Sequence, residues 1–416
     1  MAALRVVEIC AGAGGQALGL HRAGFEHALS VEIDATAAET LRHNIVGKVS
    51  VGDVADPAVW RPSDYAGVDL LAGGVPCPPF SIAGKQLGSS DERDLFAWAV
   101  EQTAIMRPRA LLLENVRGLA APRFSAYRQR ILDRLRELGY VADWRLLFAA
   151  DFGVAQLRPR FVLVALKDED ARYFSWPEPN HNRITVGEAL AGLMGANGWP
   201  YVEAWRKAAD GIGPTLVGGS KKHGGADLGP TRAKAAWAAL GVDGRGVADM
   251  APSAEAPSFT EALPKLTIDM VARLQGWREE DEWQFAGRKT SQYRQIGNAF
   301  PPPMAEAVGR SISNALRHVG DAHELPQLSA VTHDPVYKAL VEANGYLTLE
   351  SIAKEAKVAN AASVERHLSV LARDFELMTV ESDEGPQYAL GGFKGFIGQA
   401  EHRRHEFLRS QRSRIS

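Results

Sequence analysis

Short apolar runs alternate with amphipathic helical patterns along residues 4–166, and this alternation constrains the fold more than any other feature of the chain. The runs that predict strands are Leu4–Cys10, Ala28–Glu32, Val68–Gly73, Ala110–Glu114 and Arg160–Leu166. Between them, residues 34–44, with Asp34 as N-cap, and residues 127–138 have helical periodicity. Buried strands that alternate with helices are typical of a doubly wound α/β sheet, because each helix packs back on a face of the sheet. We therefore predict such a sheet here.

The alternation of strand and helix patterns does not continue into the second half of the chain. Residues 181–262 are rich in Gly, Pro and Ala and lack sustained periodicity, whereas helical patterns return at residues 266–274 and 303–316. We predict one α/β domain from residues 1–180 and 263–320, into which residues 181–262 insert as a small irregular domain.

A linker at residues 321–334 leads to a third unit at residues 335–400. Three helices are predicted there, at residues 335–343, 348–357 and 363–375, the last with Ser363 as its N-cap. Two short β-prone runs around a turn follow them. This order predicts a winged-helix-like α+β domain, followed by a basic tail at residues 401–416.

The overall charge does not indicate a nucleic-acid binder, since the 416 residues carry 47 Lys and Arg against 50 Asp and Glu. The charges are unevenly placed along the chain. Residues 1–320 are neutral, residues 321–400 have a net charge of -6 and residues 401–416 one of +3. The acidity of the third unit favours a structural or protein-interaction role over strong phosphate binding.

The two cysteines, Cys10 and Cys77, exclude a disulfide framework and a multi-cysteine zinc site. No apolar run approaches the roughly 18 residues that span a bilayer, and the N-terminus leads directly into a strand. We therefore expect a cytoplasmic protein with no metal site and no membrane partner.

A glycine-rich turn, GAGG at residues 12–15, follows the first strand and opens a helix. Glycines let a turn approach a ligand closely, and the helix N-terminus offers free N–H groups to a negative group. Glu32 ends the second strand, where a carboxylate can accept from both hydroxyls of a ribose, and Asp53 follows a third strand. By itself the glycine pattern fits NAD, FAD, an adenosyl-methionine cofactor or a mere tight turn.

The segment GGVPCPPFS at residues 73–81 places Cys77 after another strand, between prolines that stiffen its loop. A lone cysteine is usually a small buried side chain. Open α/β sheets, however, bind ligands at the carboxyl ends of their strands. The position favours a nucleophilic thiolate for Cys77, whereas Cys10 is expected to pack in the core.

A carboxylate and two guanidinium groups complete this edge of the sheet. Glu114, in LLLENV, reaches the same rim as Cys77, and a partly buried carboxyl can act as a proton donor. Arg158 and Arg160, in QLRPR, share a face of an extended segment and suit a phosphate or a carbonyl oxygen. The alternatives are a solvated glutamate and a surface salt-bridge pair.

These four motifs, in this order, resemble the DNA (cytosine-5)-methyltransferase family of bacterial restriction-modification systems. The resemblance covers residues 4–166 and resumes at RLQGW (273–277) and QIGNAFPP (295–302). It implies a Rossmann-like, S-adenosyl-methionine-dependent methyltransferase. The substrate would be C5 of a cytosine flipped out of a specific duplex DNA sequence.

The resemblance also assigns catalytic roles. In this family the thiolate, here Cys77, adds to C6 of the cytosine and thereby activates C5. Glu114 would hold the N3 and amino edge and supply a proton at N3. Arg158 would contact the cytosine carbonyl, and Arg160 would orient the catalytic loop or the base.

A pocket for S-adenosyl-methionine, with S-adenosyl-homocysteine as the product, is implied as well. Its residues would be Cys10, Gly12, Gly14, Gly15, Glu32, Ile33, Asp53, Val54, Pro76, Asn298 and Ala299. Glu32 would hold the ribose, Ile33 would pack on the adenine and Asp53 would bind its amine. Aromatic residues often stand in the family at the positions of Cys10 and Ile33, so cofactor affinity is expected to differ while binding survives.

Duplex DNA is the implied partner, with residues 181–262 as the target-recognition domain. The expected contacts are Ser81, Lys85 and Gln86, in a loop that closes over DNA in the family, and Lys221, Lys222, Arg232 and Lys234. The last four belong to a segment, residues 218–234, with a net charge of +3. A solvated loop is the alternative. A monomer on DNA and a cognate restriction endonuclease that acts separately complete this expectation.

Other functions stay open at this point. The tRNA-methylating branch carries the same catalytic motifs, although a large recognition insertion favours duplex DNA. A DNA-binding regulator with a vestigial methyltransferase domain is a second alternative, against which the retained Cys77, Glu114, Arg158 and Asn298 argue. An NAD oxidoreductase, which the glycine turn permits, leaves the Pro-Cys and Glu-Asn-Val segments unexplained.

Overall fold

The computed structural model describes residues 3–45, 47–75, 93–218, 225–324 and 333–394. The strands are β1 (Leu4–Ile9), β2 (Phe25–Glu32), β3 (Lys48–Val51), β4 (Leu70–Gly74), β5 (Ala110–Val116), β6 (Tyr140–Phe148), β7 (Pro159–Lys167), β8 (Leu347–Thr348), β9 (Phe375–Ser382) and β10 (Gly385–Phe393). The α-helices are α1 (Gly15–Arg22), α2 (Ala35–Asn44), α3 (Arg93–Met106), α4 (Ser125–Glu137), α5 (Asp168–Ala171), α6 (Val186–Met194), α7 (Val202–Ala208), α8 (Thr231–Ala239), α9 (Ile268–Gln275), α10 (Lys289–Asn298), α11 (Pro302–Leu316), α12 (Pro335–Ala343), α13 (Leu349–Glu355) and α14 (Ala361–Asp374).

Strands β1 to β7 form one mixed sheet in the order β3-β2-β1-β4-β5-β7-β6. Strands β1 to β5 are parallel, and β7 pairs antiparallel with both β5 and β6. The five strands that the sequence predicts are all present, within a few residues at their ends. Strand β6 was not predicted. It lies at the sheet edge and exposes Asp143 and Arg145, so it lacks a continuous apolar run.

Helices cover both faces of this sheet. In β5, Leu111 and Leu113 pack with α3 and α4 on one face, while Ala110 and Leu112 pack with α1 and α11 on the other. Alternate side chains of a strand point to opposite faces, so a strand buried on both sides is apolar throughout. The prediction of a doubly wound α/β sheet is therefore confirmed. Asp34 caps α2 as expected, its side chain accepting from the backbone N–H groups of Thr36 and Ala37.

Residues 181–262 are less irregular than predicted, because they contain the three helices α6, α7 and α8. These helices are only seven to nine residues long, too short for a sustained period to show in the sequence. A capping box between Thr185 and Glu188 starts α6. The buried Trp205 and Trp237 pack in one apolar cluster with residues of α9 and α10, so this region shares a core with the helices that follow it.

The C-terminal unit contains α12, α13 and α14, followed by the β9–β10 hairpin, to which the two-residue strand β8 adds. The order of three helices and a hairpin is as predicted. The N-cap predicted for the third helix is wrong. The side chain of Asn360 caps α14 by accepting from the backbone N–H of Ser363, so Ser363 lies inside the first turn.

Helix α4 carries the contact between this unit and the sheet. The hydroxyl of Ser125 donates to Asp334 Oδ2 at 2.6 Å. The ring of Tyr127 lies 5.9 Å from that of Phe393, and Ala126 belongs to the apolar cluster of the C-terminal unit. The unit is thus packed against the back of one sheet helix.

Within the described part of the chain, no helix has the length and apolar character that a membrane span requires.

Candidate active site

The glycine turn between β1 and α1 is tied to the end of β2 through one carboxylate. The backbone N–H of Gly12 donates to Glu32 Oε2 at 2.7 Å, and that of Asp34 donates to Glu32 Oε1 at 2.8 Å. Gly12 has a φ of 56°, which glycine adopts without steric cost. Burial raises the pKa of Glu32, although the two N–H groups favour its charged form. Glu32 is therefore oriented toward the turn, as a ligand-binding carboxylate must be.

A cleft of about 230 Å³ opens beside this turn. Six predicted cofactor residues line it: Cys10, Gly12, Gly15, Glu32, Asn298 and Ala299. The cleft also contacts Glu114, so it runs from the glycine turn to the predicted catalytic rim.

Gly14, Ile33, Asp53 and Val54, which the resemblance placed in the pocket, are not among the residues that line the cleft. A Cβ on Gly14 would lie 2.6 Å from the Trp283 ring, so packing requires a glycine there. The side chain of Ile33 is 60% exposed. Asp53 is buried, and its Oδ1 accepts from the N–H of Ala55 at 3.1 Å. Val54 packs in the apolar core.

Several polar residues of the cleft were missed by sequence reasoning, among them Gln16 and Glu8. Gln16 is 3% exposed, and neither polar atom of its side-chain amide has a hydrogen-bond partner among the described residues. Glu8 is fully buried; its Oε2 lies 2.8 Å from His27 Nε2, while its Oε1 has no partner within the part of the chain that the structure describes. Burial raises the pKa of Glu8. A carboxylate inside an otherwise apolar buried strand was the signal that would have identified Glu8.

The catalytic rim lies where β5 meets β7. The antiparallel pairing sets Val116 of β5 opposite Arg160 of β7, and Glu114 Oε2 lies 3.3 Å from Arg160 Nε. Burial raises the pKa of Glu114, and the guanidinium of Arg160 opposes that rise only in part. The side chain of Asn115 donates to the carbonyl oxygen of Val75 at 3.1 Å. This bond ties β5 to the segment that precedes Cys77.

Arg158 does not share the face of Arg160. Its φ is 29°, so the backbone is not extended at this residue and the expected alternation fails. The side chain is fully buried, and its guanidinium donates to the carbonyl oxygens of Leu216, Gly297 and Ala299. These bonds occupy Nη1 and Nη2 but leave Nε without a hydrogen-bond partner among the described residues, so the contact of Arg158 with a cytosine carbonyl stays a prediction.

The expected DNA contacts are only partly within the described residues. Arg232 is exposed on α8. Lys234, on the same helix, pairs with Asp227 at 2.9 Å, so its charge is already partly compensated. Seven predicted site residues lie outside the described residues: Pro76, Cys77, Ser81, Lys85, Gln86, Lys221 and Lys222.

Comparison with known proteins gives a consistent result. The profile of a family described as C-5 cytosine-specific DNA methylase matches residues 4–314. The type II methyltransferase M.NaeI of Lentzea aerocolonigenes is 58% identical over 100% of both chains. The type II methyltransferase M.NgoMIV of Neisseria gonorrhoeae is 50% identical over 75% of this chain and 97% of its own. The structure of Entamoeba histolytica methyltransferase EhMeth shares the fold, with a TM-score of 0.52 and 14% identity over 77% of this chain and 100% of that one.

Proposed function

The chain belongs to the C-5 cytosine-specific DNA methylase family, and we propose from this membership that it methylates C5 of cytosine in a specific duplex DNA sequence. The role would be that of the modification enzyme of a type II restriction-modification system, and the two relatives are named type II methyltransferases. One observation of the structure carries the proposal. A single cleft joins the glycine turn and Glu32 to Glu114, which lies beside Arg160.

S-adenosyl-methionine is the methyl donor that this cleft would hold. Gln16 and Glu8 line the cleft, and among the described residues neither the Gln16 amide nor Glu8 Oε1 has a hydrogen-bond partner, although buried polar groups are rarely left unbonded. The methionine end carries an ammonium and a carboxylate, which match an acceptor such as Glu8 and an amide such as Gln16. Glu32 would hold the ribose hydroxyls, and Asn298 would close the other wall. When bound, the cofactor supplies an electrophilic methyl group at the rim.

The protein's own groups would then act on the cytosine. The Cys77 thiolate adds to C6, and Glu114 supplies a proton at N3, so that negative charge does not accumulate on the ring as the C–S bond forms. C5 becomes the nucleophilic carbon and takes the methyl group. A base removes the C5 proton, elimination of the Cys77 thiolate re-forms the C5–C6 double bond, and the N3 proton returns to Glu114.

Arg160 is the arginine that we place beside the base. It shares the rim with Glu114, whose Oε2 lies 3.3 Å from Arg160 Nε, so its guanidinium lies beside the group that would hold the cytosine. Two nitrogens of the Arg158 guanidinium are instead engaged by the carbonyl oxygens of Leu216, Gly297 and Ala299. We therefore assign Arg158 to a positioning role.

The domain organisation is part of the proposal. Residues 1–180 and 263–320 would form the catalytic domain, residues 181–262 the target-recognition domain, and residues 335–400 a winged-helix-like domain after the linker at 321–334. The apolar cluster around α12, α13 and α14 supports a distinct C-terminal unit, whereas the core of residues 181–262 is shared with α9 and α10. Exposed Arg232, with Lys221 and Lys222, would contact DNA phosphates. We expect a cytoplasmic monomer on DNA and a cognate endonuclease that acts separately.

Bisulfite sequencing of DNA from bacterial cells that express the protein tests the central claim. One sequence motif is expected to be protected at a fixed cytosine, and the Cys77→Ser variant is expected to give no protection. A duplex of that motif containing 5-fluorocytosine should trap the wild-type protein as a covalent adduct.

The alternatives give different outcomes. Tritium transfer from labelled cofactor to tRNA but not to duplex DNA would identify the protein as a tRNA methyltransferase. Sequence-specific DNA binding with neither methylation nor adduct would identify a regulator with a vestigial methyltransferase domain.

A further inference from the structure

Arg158 is a fully buried cation that lies between three parts of the chain. Its Nη1 donates to the carbonyl oxygen of Leu216 at 2.9 Å, and its Nη2 to those of Gly297 and Ala299 at 2.9 and 2.6 Å. No carboxylate of the described residues forms a salt bridge with it. A buried guanidinium that is held by carbonyl oxygens alone is costly to desolvate. Such a group is retained where its geometry serves a purpose that an apolar residue would not.

The three carbonyl acceptors belong to different functional elements. Leu216 is part of residues 213–218, which we name the recognition segment because they lead into the basic residues 219–234. Gly297 and Ala299 flank Asn298 on the wall of the cofactor cleft. Two residues after Arg158 stands Arg160, the partner of Glu114. One side chain thus touches the recognition segment and the cofactor wall and adjoins the catalytic rim.

A second layer of buried amides repeats this connection. Gln156 accepts from the N–H of Leu216 through Oε1 at 3.0 Å and donates to the carbonyl oxygen of Leu274 at 2.7 Å. Gln275 donates to the carbonyl oxygen of Ala299 at 2.7 Å. Both glutamines are fully buried. Buried networks whose members are satisfied behave as rigid units, so displacement of one end disturbs the other.

The recognition segment also packs directly on the cofactor wall. A Cβ built on Gly218 would lie 2.4 Å from Asn298 Oδ1, and one built on Gly297 would lie 2.6 Å from the Gly218 Cα. Two glycines therefore allow a backbone contact that any side chain would prevent. A shift of the recognition segment on DNA must move Asn298 or break the bonds of Arg158.

We propose that Arg158 is a positioning residue that couples the recognition segment to the cofactor cleft, so that target DNA and cofactor bind cooperatively. The proposal rests on the proposed function, since it presupposes both ligands. Each ligand stabilises the arrangement in which the carbonyls of Leu216, Gly297 and Ala299 converge on one guanidinium. The ligand that binds second then finds its site already ordered, and thermodynamic linkage makes the effect equal in both directions.

The test measures a coupling factor, the ratio of the Kd for duplex DNA without and with saturating S-adenosyl-homocysteine. The duplex carries the motif found by bisulfite sequencing, and full-length protein is used. For the wild type we expect a factor of about 10, within the 5–150-fold range usual for coupled sites. For Arg158→Met we expect a factor below about 2. Because both Kd values come from one preparation, a reduced fraction of folded protein cancels in the ratio.

Two further variants keep the test decisive. Gly218→Ala disturbs the contact between the recognition segment and the cofactor wall without removing a buried charge. It is expected to lower the coupling factor as well. If Arg158→Met does not fold, the result for Gly218→Ala tests the proposal. Arg109→Met is the matched control. Arg109 lies just before β5 begins, at the edge of the sheet opposite the rim. Its guanidinium donates to Asp170 and to the carbonyl oxygen of Leu316. The Arg109→Met variant should therefore lose thermal stability but keep the wild-type coupling factor.

A folded Arg158→Met or Gly218→Ala variant with the wild-type factor would overturn the proposal, as would a wild-type factor near 1. Failure of the proposed function is a separate result, since bisulfite sequencing would then show no protected cytosine in wild-type cells.

Discussion

The Oε2 atom of Glu114 lies 3.3 Å from the Nε atom of Arg160, and both residues are buried. Burial opposes charge on each partner, since it raises the pKa of Glu114 and lowers that of Arg160. The attraction between the two charges shifts both pKa values in the opposite direction, but it offsets only part of the effect of burial. Glu114 therefore holds its proton to a higher pH than an exposed glutamate does, as a proton donor at N3 requires.

The first prediction concerns the pH dependence of methyl transfer. Because protonated Glu114 is the active form, kcat should fall as pH rises through the raised pKa of Glu114. Glu114→Gln should lower kcat by about 10²–10⁴-fold and abolish this alkaline decline, since an amide does not titrate. Tritium transfer measured between pH 5.5 and 9 checks both effects. Glu101→Gln, at a surface ion pair with Arg134, is the control and should keep the wild-type profile. Persistence of the decline in Glu114→Gln would refute the assignment.

The second prediction concerns Gln16, whose buried amide has no hydrogen-bond partner among the residues that the structure describes. Gln16→Leu should leave the cofactor-free protein as stable as the wild type or slightly more stable, because it removes an unsatisfied polar group. The Kd for S-adenosyl-homocysteine should rise roughly 5–10-fold, which corresponds to one lost hydrogen bond of about 1–1.4 kcal/mol. Calorimetric titration and thermal denaturation measure the two effects.

Gln129→Leu provides the contrasting control for Gln16. Gln129 is also buried, but it accepts from the N–H of His333 at 3.0 Å, far from the cleft. Its variant should lose stability and keep cofactor affinity. Equal affinities of Gln16→Leu and wild type would exclude Gln16 from the cofactor site.

The third prediction concerns the buried Glu8–His27 pair. Because burial raises the pKa of Glu8, the ionised form is disfavoured in the folded state. Glu8 thus contributes most to stability below the unfolded value of about 4.3, and that contribution is lost as pH rises through its folded pKa. Glu8→Gln stays neutral at every pH. The difference in Tm, variant minus wild type, should therefore become more positive from pH 5 to pH 8, and a difference that is constant or shrinks would contradict the account.

The fourth prediction concerns the C-terminal unit. M.NgoMIV matches this chain over 97% of its own length but only 75% of this one, so part of this chain has no counterpart in that relative. Deletion of residues 325–416 should leave the salt dependence of DNA binding unchanged, because the unit is acidic. Stability should fall, since Tyr127 loses the cover of Phe393. Tyr127→Ser in the deleted form should recover solubility. A shallower slope of log K against log salt would show instead that the unit binds phosphates.

The sequence by itself determined the sheet, the rim and the family. Strands buried on both faces are apolar throughout, and parallel strands bring their carboxyl ends to one edge, so the positions of Glu32 and Glu114 followed from local pattern and topology. These arguments need only the order of residues along the chain. They failed for β6, because an edge strand lacks a continuous apolar run. They also failed for α6, α7 and α8, because such short helices contain too few turns for a periodic pattern to be recognised.

Only the tertiary structure decided which way the site's side chains face. The sequence predicts that Arg158 and Arg160 lie on one face of an extended segment. In the structure the backbone of Arg158 has a φ of 29°, and its side chain donates to carbonyl oxygens of residues 58, 139 and 141 positions further along the sequence. Gln16 has the sequence position of an ordinary helix residue, yet the fold buries it in the cleft, where its amide has no hydrogen-bond partner among the described residues. A side chain's direction depends on the groups that pack against it, and here those groups come from distant parts of the chain.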